Sequence, residues 1–153
     1  FCKKHQNEHK NFLQIKKIIT GKNVFNSNTI SVSGDFSNSS YEHVMKKIDH
    51  FKLDNIKLIK GDFAKIIPTF FNSDKIKISS VNIDSDLYDG YNVILPYIYR
   101  RLSKKGIIFL DEYYSLKFPG PKIAVDNFCK KLKIKPKKFK TRSNEFERYY
   151  LIK

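Results

Sequence analysis

Two acidic clusters, Asp84-Ser85-Asp86 and Asp111-Glu112, are the residues of this chain best suited to chemistry. Each stands directly behind a short apolar run: Ile78-Ser79-Ser80-Val81-Asn82-Ile83 before the first, Ile107-Ile108-Phe109-Leu110 before the second. Carboxylates brought close together repel one another unless a proton or a cation intervenes. A hard divalent ion with oxygen ligands is the simplest such cation. An Asp behind a strand also serves as a helix N-cap, so either cluster taken alone admits a purely structural role.

Strands must position these groups. Apolar runs bounded by turn residues read as buried strands of a mainly parallel sheet, here over 77–83 and 106–111. Ligands of open α/β sheets bind at the strands' carboxyl ends, so adjacency of the two strands would bring three or four carboxylates to one rim. Upstream, Ser39 and Glu42 have the spacing of a capping box, followed by Val44, Met45, Ile48 and Phe51 at helical intervals. A strand is expected over 55–60, closed by Gly61-Asp62-Phe63, then a helical turn over 64–72 interrupted by Pro68. A helix over about 89–103 would bury Val93, Ile94, Tyr97, Ile98 and Leu102, with Pro96 kinking it or delaying its start. Lys104-Lys105-Gly106 reads as its stop. Pro119-Gly120-Pro121 leads into a helix over 121–132. Strands over 136–141 and 146–152, joined by a turn at Arg142 to Glu145, close the chain as an antiparallel hairpin. Residues 1–33 are the least readable, with a partial stripe (Leu13, Ile15, Ile18, Ile19) ended by Gly21 and a short strand at 29–32. The layout is α/β with an antiparallel edge.

The 153 residues are read as a single domain with a substantial core, and no apolar run approaches transmembrane length. The amino terminus lacks the apolar stretch of a signal peptide. Cys2 and Cys129 give neither a metal spacing nor a disulfide framework. Cys129 shares a helical face with Ala124, Val125, Phe128 and Leu132 and reads as a reduced core thiol, which suits a cytoplasmic protein. His5, His9, His43 and His50 stand apart from the acidic clusters in sequence. The net charge of +15 raises the possibility of a nucleic-acid partner. Against it, only four of the 30 basic residues are Arg and the lysines are scattered. The one dense block, Lys130 to Lys140, also fits a strand edge guarded against aggregation.

Four stretches taken together resemble the macrocin O-methyltransferase (TylF/MycF-type) family over about Ser31 to Lys153. They are Lys60-Gly61-Asp62-Phe63, Asn82-Ile83-Asp84-Ser85-Asp86-Leu87-Tyr88, Gly106 through Tyr113, and Pro119 through Asp126. The resemblance implies a class I S-adenosylmethionine-dependent enzyme that methylates a sugar hydroxyl of a glycan or small-molecule natural product. It implies a Mg²⁺ held by Asp84, Asp111 and Glu112, and Asp84 as general base. Glu112 stands where the family usually has aspartate, and its extra methylene moves the carboxylate by about a bond length. Asp86 and Tyr88 are read as supporting or capping residues. Asp62 and Phe63 resemble the position that contacts the cofactor's adenine, with a simple turn as the alternative.

The family's Rossmann-like sheet has the strand order 3-2-1-4-5-7-6. Its first strand is followed by a Gly-rich loop for the methionine part of the cofactor. The six glycines of this chain are never close enough to form that loop. The expectation is therefore a partial methyltransferase domain, its sheet lacking the first two strands, with the strand over 55–60 left without neighbours. An unpaired edge would favour a homo-oligomer. A basic nucleic-acid module and a degenerate non-catalytic domain are the competing readings.

Overall fold

The computed structural model describes residues 39–71, 76–115, 118–139 and 147–153. The features expected over 1–33 and the turn at 142–145 lie outside them. The chain divides into two compact units, 1–62 and 63–153.

In the first unit, helix α1 spans Tyr41–His50. Its cap is Ser40, whose Oγ accepts from the His43 N–H at 3.1 Å. The capping box expected from Ser39 is thus displaced by one residue, which leaves Glu42 in the first turn, where its charge suits the helix dipole. Its own backbone N–H, and after it the Ser40 side chain, hold the Glu42 carboxyl below its usual value. The strand expected over 55–60 does not form: the segment joins no ladder among the described residues. A strand needs a partner for its backbone groups, and Ile56 and Ile59 stand 46% and 43% exposed.

The second unit is built on four strands: β1 (Ile78–Ile83), β2 (Leu102–Leu110), β3 (Lys137–Lys138) and β4 (Tyr149–Ile152). Their order is β1-β2-β4-β3, with β1 and β2 parallel and β4 antiparallel to both β2 and β3. This is the 4-5-7-6 half of the expected sheet, its last two strands antiparallel. Among the described residues, however, the strand expected over 136–141 is confined to Lys137–Lys138 and that over 146–152 to Tyr149–Ile152. The helices are α2 (Phe63–Phe70), α3 (Tyr88–Arg101) and α4 (Pro119–Leu132).

Alternation along the strands sends Ile83, Ile108, Leu110 and Leu151 into a core completed by Tyr91, Leu95, Ile98, Val125 and Cys129. Helix α3 touches α2, α4 and both parallel strands. It therefore buries more than one stripe: Tyr91 and Leu95 are wholly enclosed, whereas Val93 and Tyr97 are only partly covered. It runs through Pro96 without interruption. Leu132, expected inside, is exposed, while Cys129 is a buried free thiol whose pKa burial pushes up to about 11.

The expected helix stop at Lys104-Lys105-Gly106 lies inside β2. Helix α3 ends at Arg101 and the strand begins at the next residue. The surplus chain is taken up by a bulge, since Ile78 pairs with Leu102 but Ser80 with Ile107. Lys105 adopts φ 65° there. A Cβ at Gly106 would lie 2.7 Å from Leu102 Cγ and 2.9 Å from the Ser103 carbonyl oxygen, so only glycine fits. Past the bulge the register is regular, and Ile83 pairs with Leu110. That register aligns the two acidic clusters.

Candidate functional site

The carboxyl ends of β1 and β2 meet at a single backbone oxygen. The Ile83 carbonyl accepts from the Asp111 N–H at 3.1 Å and from the Tyr91 hydroxyl at 2.7 Å. From this junction Asp84, Asp86 and Glu112 converge: one carboxylate oxygen of each lies within 4.8 Å of the others. Oxygens on opposite sides of a hard cation stand about 4–5 Å apart, so one ion can bridge all three. Asp84 is exposed, Asp86 partly covered and Glu112 buried.

Neither Asp84 nor Asp86 sits at a helix cap. The N-cap of α3 is Leu87, whose side chain makes no capping bond, and that of α4 is Phe118, likewise without one. The N-cap role open to Asp84 and Asp86 in sequence thus falls to Leu87 at the start of α3. The loop between β1 and α3 is instead tightly turned. The Leu87 N–H reaches back to the Ser85 carbonyl at 2.5 Å, with Asp86 between them at φ 56°. This is a γ-turn about a non-glycine residue in the left-handed region, a costly conformation that Asp tolerates better than most.

Ser85 Oγ is buried and finds no hydrogen-bond partner among the described residues. A Cβ at Gly90 would stand 2.5 Å from that oxygen, so the first turn of α3 must present glycine there. The Phe63 ring approaches the same point, its Cδ2 at 3.6 Å.

Glu112 is the electrostatic centre of the group. Burial, a hydrogen bond with Asp111 and the charges of Asp111 and Asp86 together push its pKa up to about 8, against a hydrogen bond from Tyr91 that favours the ionised form. Tyr91 itself is raised, first by burial and then by the charge of Glu112. Carboxylates this close repel one another unless a proton or a cation stands between them.

Of the residues singled out in sequence, Asp84 and Glu112 come together as expected, and Asp86 joins them rather than serving as a cap. Asp111 faces differently: its Oδ1 accepts from Arg148 at 2.6 Å while its carboxyl also contacts Glu112. Asp62 is exposed at the end of the first unit, and Phe63, 45% exposed, opens α2 in the second. Sequence reasoning missed Tyr91. A signal was available, because Tyr91 stands three residues after Tyr88 near the start of the helix that follows Asp86, but the helical stripe expected from sequence did not include it.

Beside Asp111 lies a cavity of about 290 Å³, lined chiefly by Asn82, Phe109, Phe139, Arg148 and Tyr149. The Phe109 and Phe139 rings stack in parallel with centroids 5.6 Å apart.

The sequence profile of the macrocin-O-methyltransferase (TylF) family matches residues 26–141. No curated protein matches the chain in sequence. Among solved structures, the O-methyltransferase NovP superposes with a TM-score of 0.62 at 21% identity, over 81% of this chain and 53% of its own. The calicheamicin methyltransferase CalS11 gives 0.60 at 20% identity, over 79% and 48%. Its apo form, described as a TDP-rhamnose 3'-O-methyltransferase, gives 0.59 at 20% identity, over 80% and 53%. This chain spans about half the length of those structures.

Proposed function

The chain belongs to the macrocin-O-methyltransferase (TylF) family, and from that membership we propose that it takes part in S-adenosylmethionine-dependent methylation of a sugar hydroxyl, assisted by Mg²⁺. The observation that carries this reading is the convergence of Asp84, Asp86 and Glu112 at the carboxyl ends of two parallel strands. Those three would hold the metal, with Asp111 in reserve beside them. A bound Mg²⁺ lowers the pKa of a coordinated hydroxyl and so makes it a better nucleophile near neutral pH.

The chain's own groups divide the remaining work. Asp84, the most exposed of the three, would take the hydroxyl proton as general base. Buried Glu112 anchors the site from below. The cavity beside Asp111 would seat the acceptor, its sugar ring against the Phe109 and Phe139 pair and Arg148 facing any phosphate the acceptor carries. S-adenosylmethionine, when bound, would supply the sulfonium methyl for an in-line displacement, and these walls would contribute by orienting the hydroxyl. Phe63, beside the Ser85 loop, and Asp62 are proposed to meet the adenosine end of the cofactor. The described residues contain no glycine-rich loop for its methionine end.

The test is radiolabelled methyl transfer from S-adenosylmethionine to a panel of nucleotide sugars that includes TDP-rhamnose, with and without Mg²⁺. Asp84→Asn should reduce turnover by at least about 100-fold, the scale of a lost general base, and chelation should abolish it. Turnover indifferent to both would remove the proposal.

A further inference from the structure

We infer that Tyr91 is a positioning residue of the metal site, its hydroxyl acting as the clasp that sets the Glu112 carboxylate against the end of β1. The inference rests on the metal reading above and adds to it a residue of α3 that carries no charge. Tyr91 is wholly buried, yet its hydroxyl is not spent on filling space. It lies 2.7 Å from the Ile83 carbonyl oxygen and 2.9 Å from Glu112 Oε2. The same Ile83 carbonyl takes the Asp111 N–H. With one proton the phenol donates to only one of the Ile83 and Glu112 oxygens at a time, to Oε2 when Glu112 is ionised. Its oxygen accepts the Glu112 N–H at 3.4 Å, so this single hydroxyl ties the loop after β2 and the side chain of the buried ligand to the place where β1 ends.

A glutamate needs such a tie more than an aspartate does. Its additional torsion gives the carboxylate more rotamers to lose, and order at a metal depends on how the ligand itself is held. The first turn of α3 is fixed in turn, because Gly90 allows Ser85 to pack against it and brings Tyr91 up under the junction. A phenol in a dry interior makes a stronger bond to a carboxylate than it would in water.

The test is Mg²⁺ and Mn²⁺ binding by titration calorimetry to the parent, Tyr91→Phe, Asp84→Asn and Ile94→Val, the last a core control of modest cost. Tyr91→Phe should weaken Mg²⁺ binding 10- to 100-fold, the range typical of groups that orient a ligand. Ile94→Val should leave it unchanged even where the two variants lose similar thermal stability. Tyr91→Phe within twofold of the parent, with Asp84→Asn unable to bind, would overturn the clasp and leave the metal reading standing. Asp84→Asn binding like the parent would overturn the metal reading and the clasp with it. Should Tyr91→Phe fail to fold, 3-fluorotyrosine incorporation gives a second readout. The fluorine resonance of Tyr91 should move as Mg²⁺ is added, and a resonance that stays fixed through saturation of the site would overturn the inference.

Discussion

Glu112 shows how far a residue's surroundings can depart from what its letter suggests. In sequence it was one half of an acidic pair. In the structure it is a buried carboxyl whose pKa lies near 8, held up by burial and by Asp111 and Asp86. The sign of the consequence is fixed. An acid with a folded pKa above its unfolded value near 4.5 keeps its proton in the folded chain while the unfolded chain releases it. Stability from this group is complete below about pH 4.5 and is lost as pH rises through about 8. In metal-free protein, the thermal midpoint of the parent should therefore fall relative to Glu112→Gln across that window. Mg²⁺ competes with the same proton, so its affinity should rise with pH over the same range. A difference between parent and variant that is flat in pH would contradict the environment described for Glu112. Asp84 and Glu112 were legible in sequence because carboxylates behind strands are conspicuous. The turn of Asp111 toward Arg148 was not, since it depends on β4 lying against β2, 37 residues away.

At the scale of elements, the strand–loop–helix junction from Ile83 to Tyr91 determines the site. Its geometry depends on two residues with no chemistry of their own: Asp86 in a γ-turn, and Gly90, where a methyl would collide with Ser85. Gly90→Ala should displace the Ser85 loop. The expected cost is about 1–3 kcal/mol in urea denaturation, the usual penalty of overpacking, with a loss of Mg²⁺ affinity because Asp84 and Asp86 ride on that loop. Unchanged affinity would mean the loop tolerates the shift. Parallel strands and their helices were readable from apolar runs and helical spacing. The failures have physical causes. The segment 55–60 has the alternation of a strand but no ladder partner among the described residues, and local pattern cannot supply one. The Lys104 to Gly106 stop was misread because a bulge, like a helix end, uses a left-handed residue next to glycine.

Over the second unit, charge separates along the strand axis. The carboxylates gather at the carboxyl rim of β1 and β2. Lys77, Arg100, Lys104 and Lys153 line a cavity of about 490 Å³ at the opposite rim, where Lys153 Nζ also donates to the carbonyls of Tyr99 and Arg100 at the end of α3. The lysine block after residue 130 is split between the end of α4 and the edge strand β3, where Lys138 pairs with Glu147. That distribution fits a guarded edge better than a continuous nucleic-acid track. No helix among the described residues is long and apolar enough to cross a membrane. The sheet order was readable only through the family resemblance, because strand adjacency is a property of the whole chain rather than of any run within it. The measurement that bears most directly on the account is an anomalous difference map from crystals of the protein soaked in Mn²⁺. The account predicts one strong peak bounded by oxygens of Asp84, Asp86 and Glu112. A saturating soak with no density there, or with the ion bound elsewhere and these three carboxylates left protonated among themselves, would contradict it.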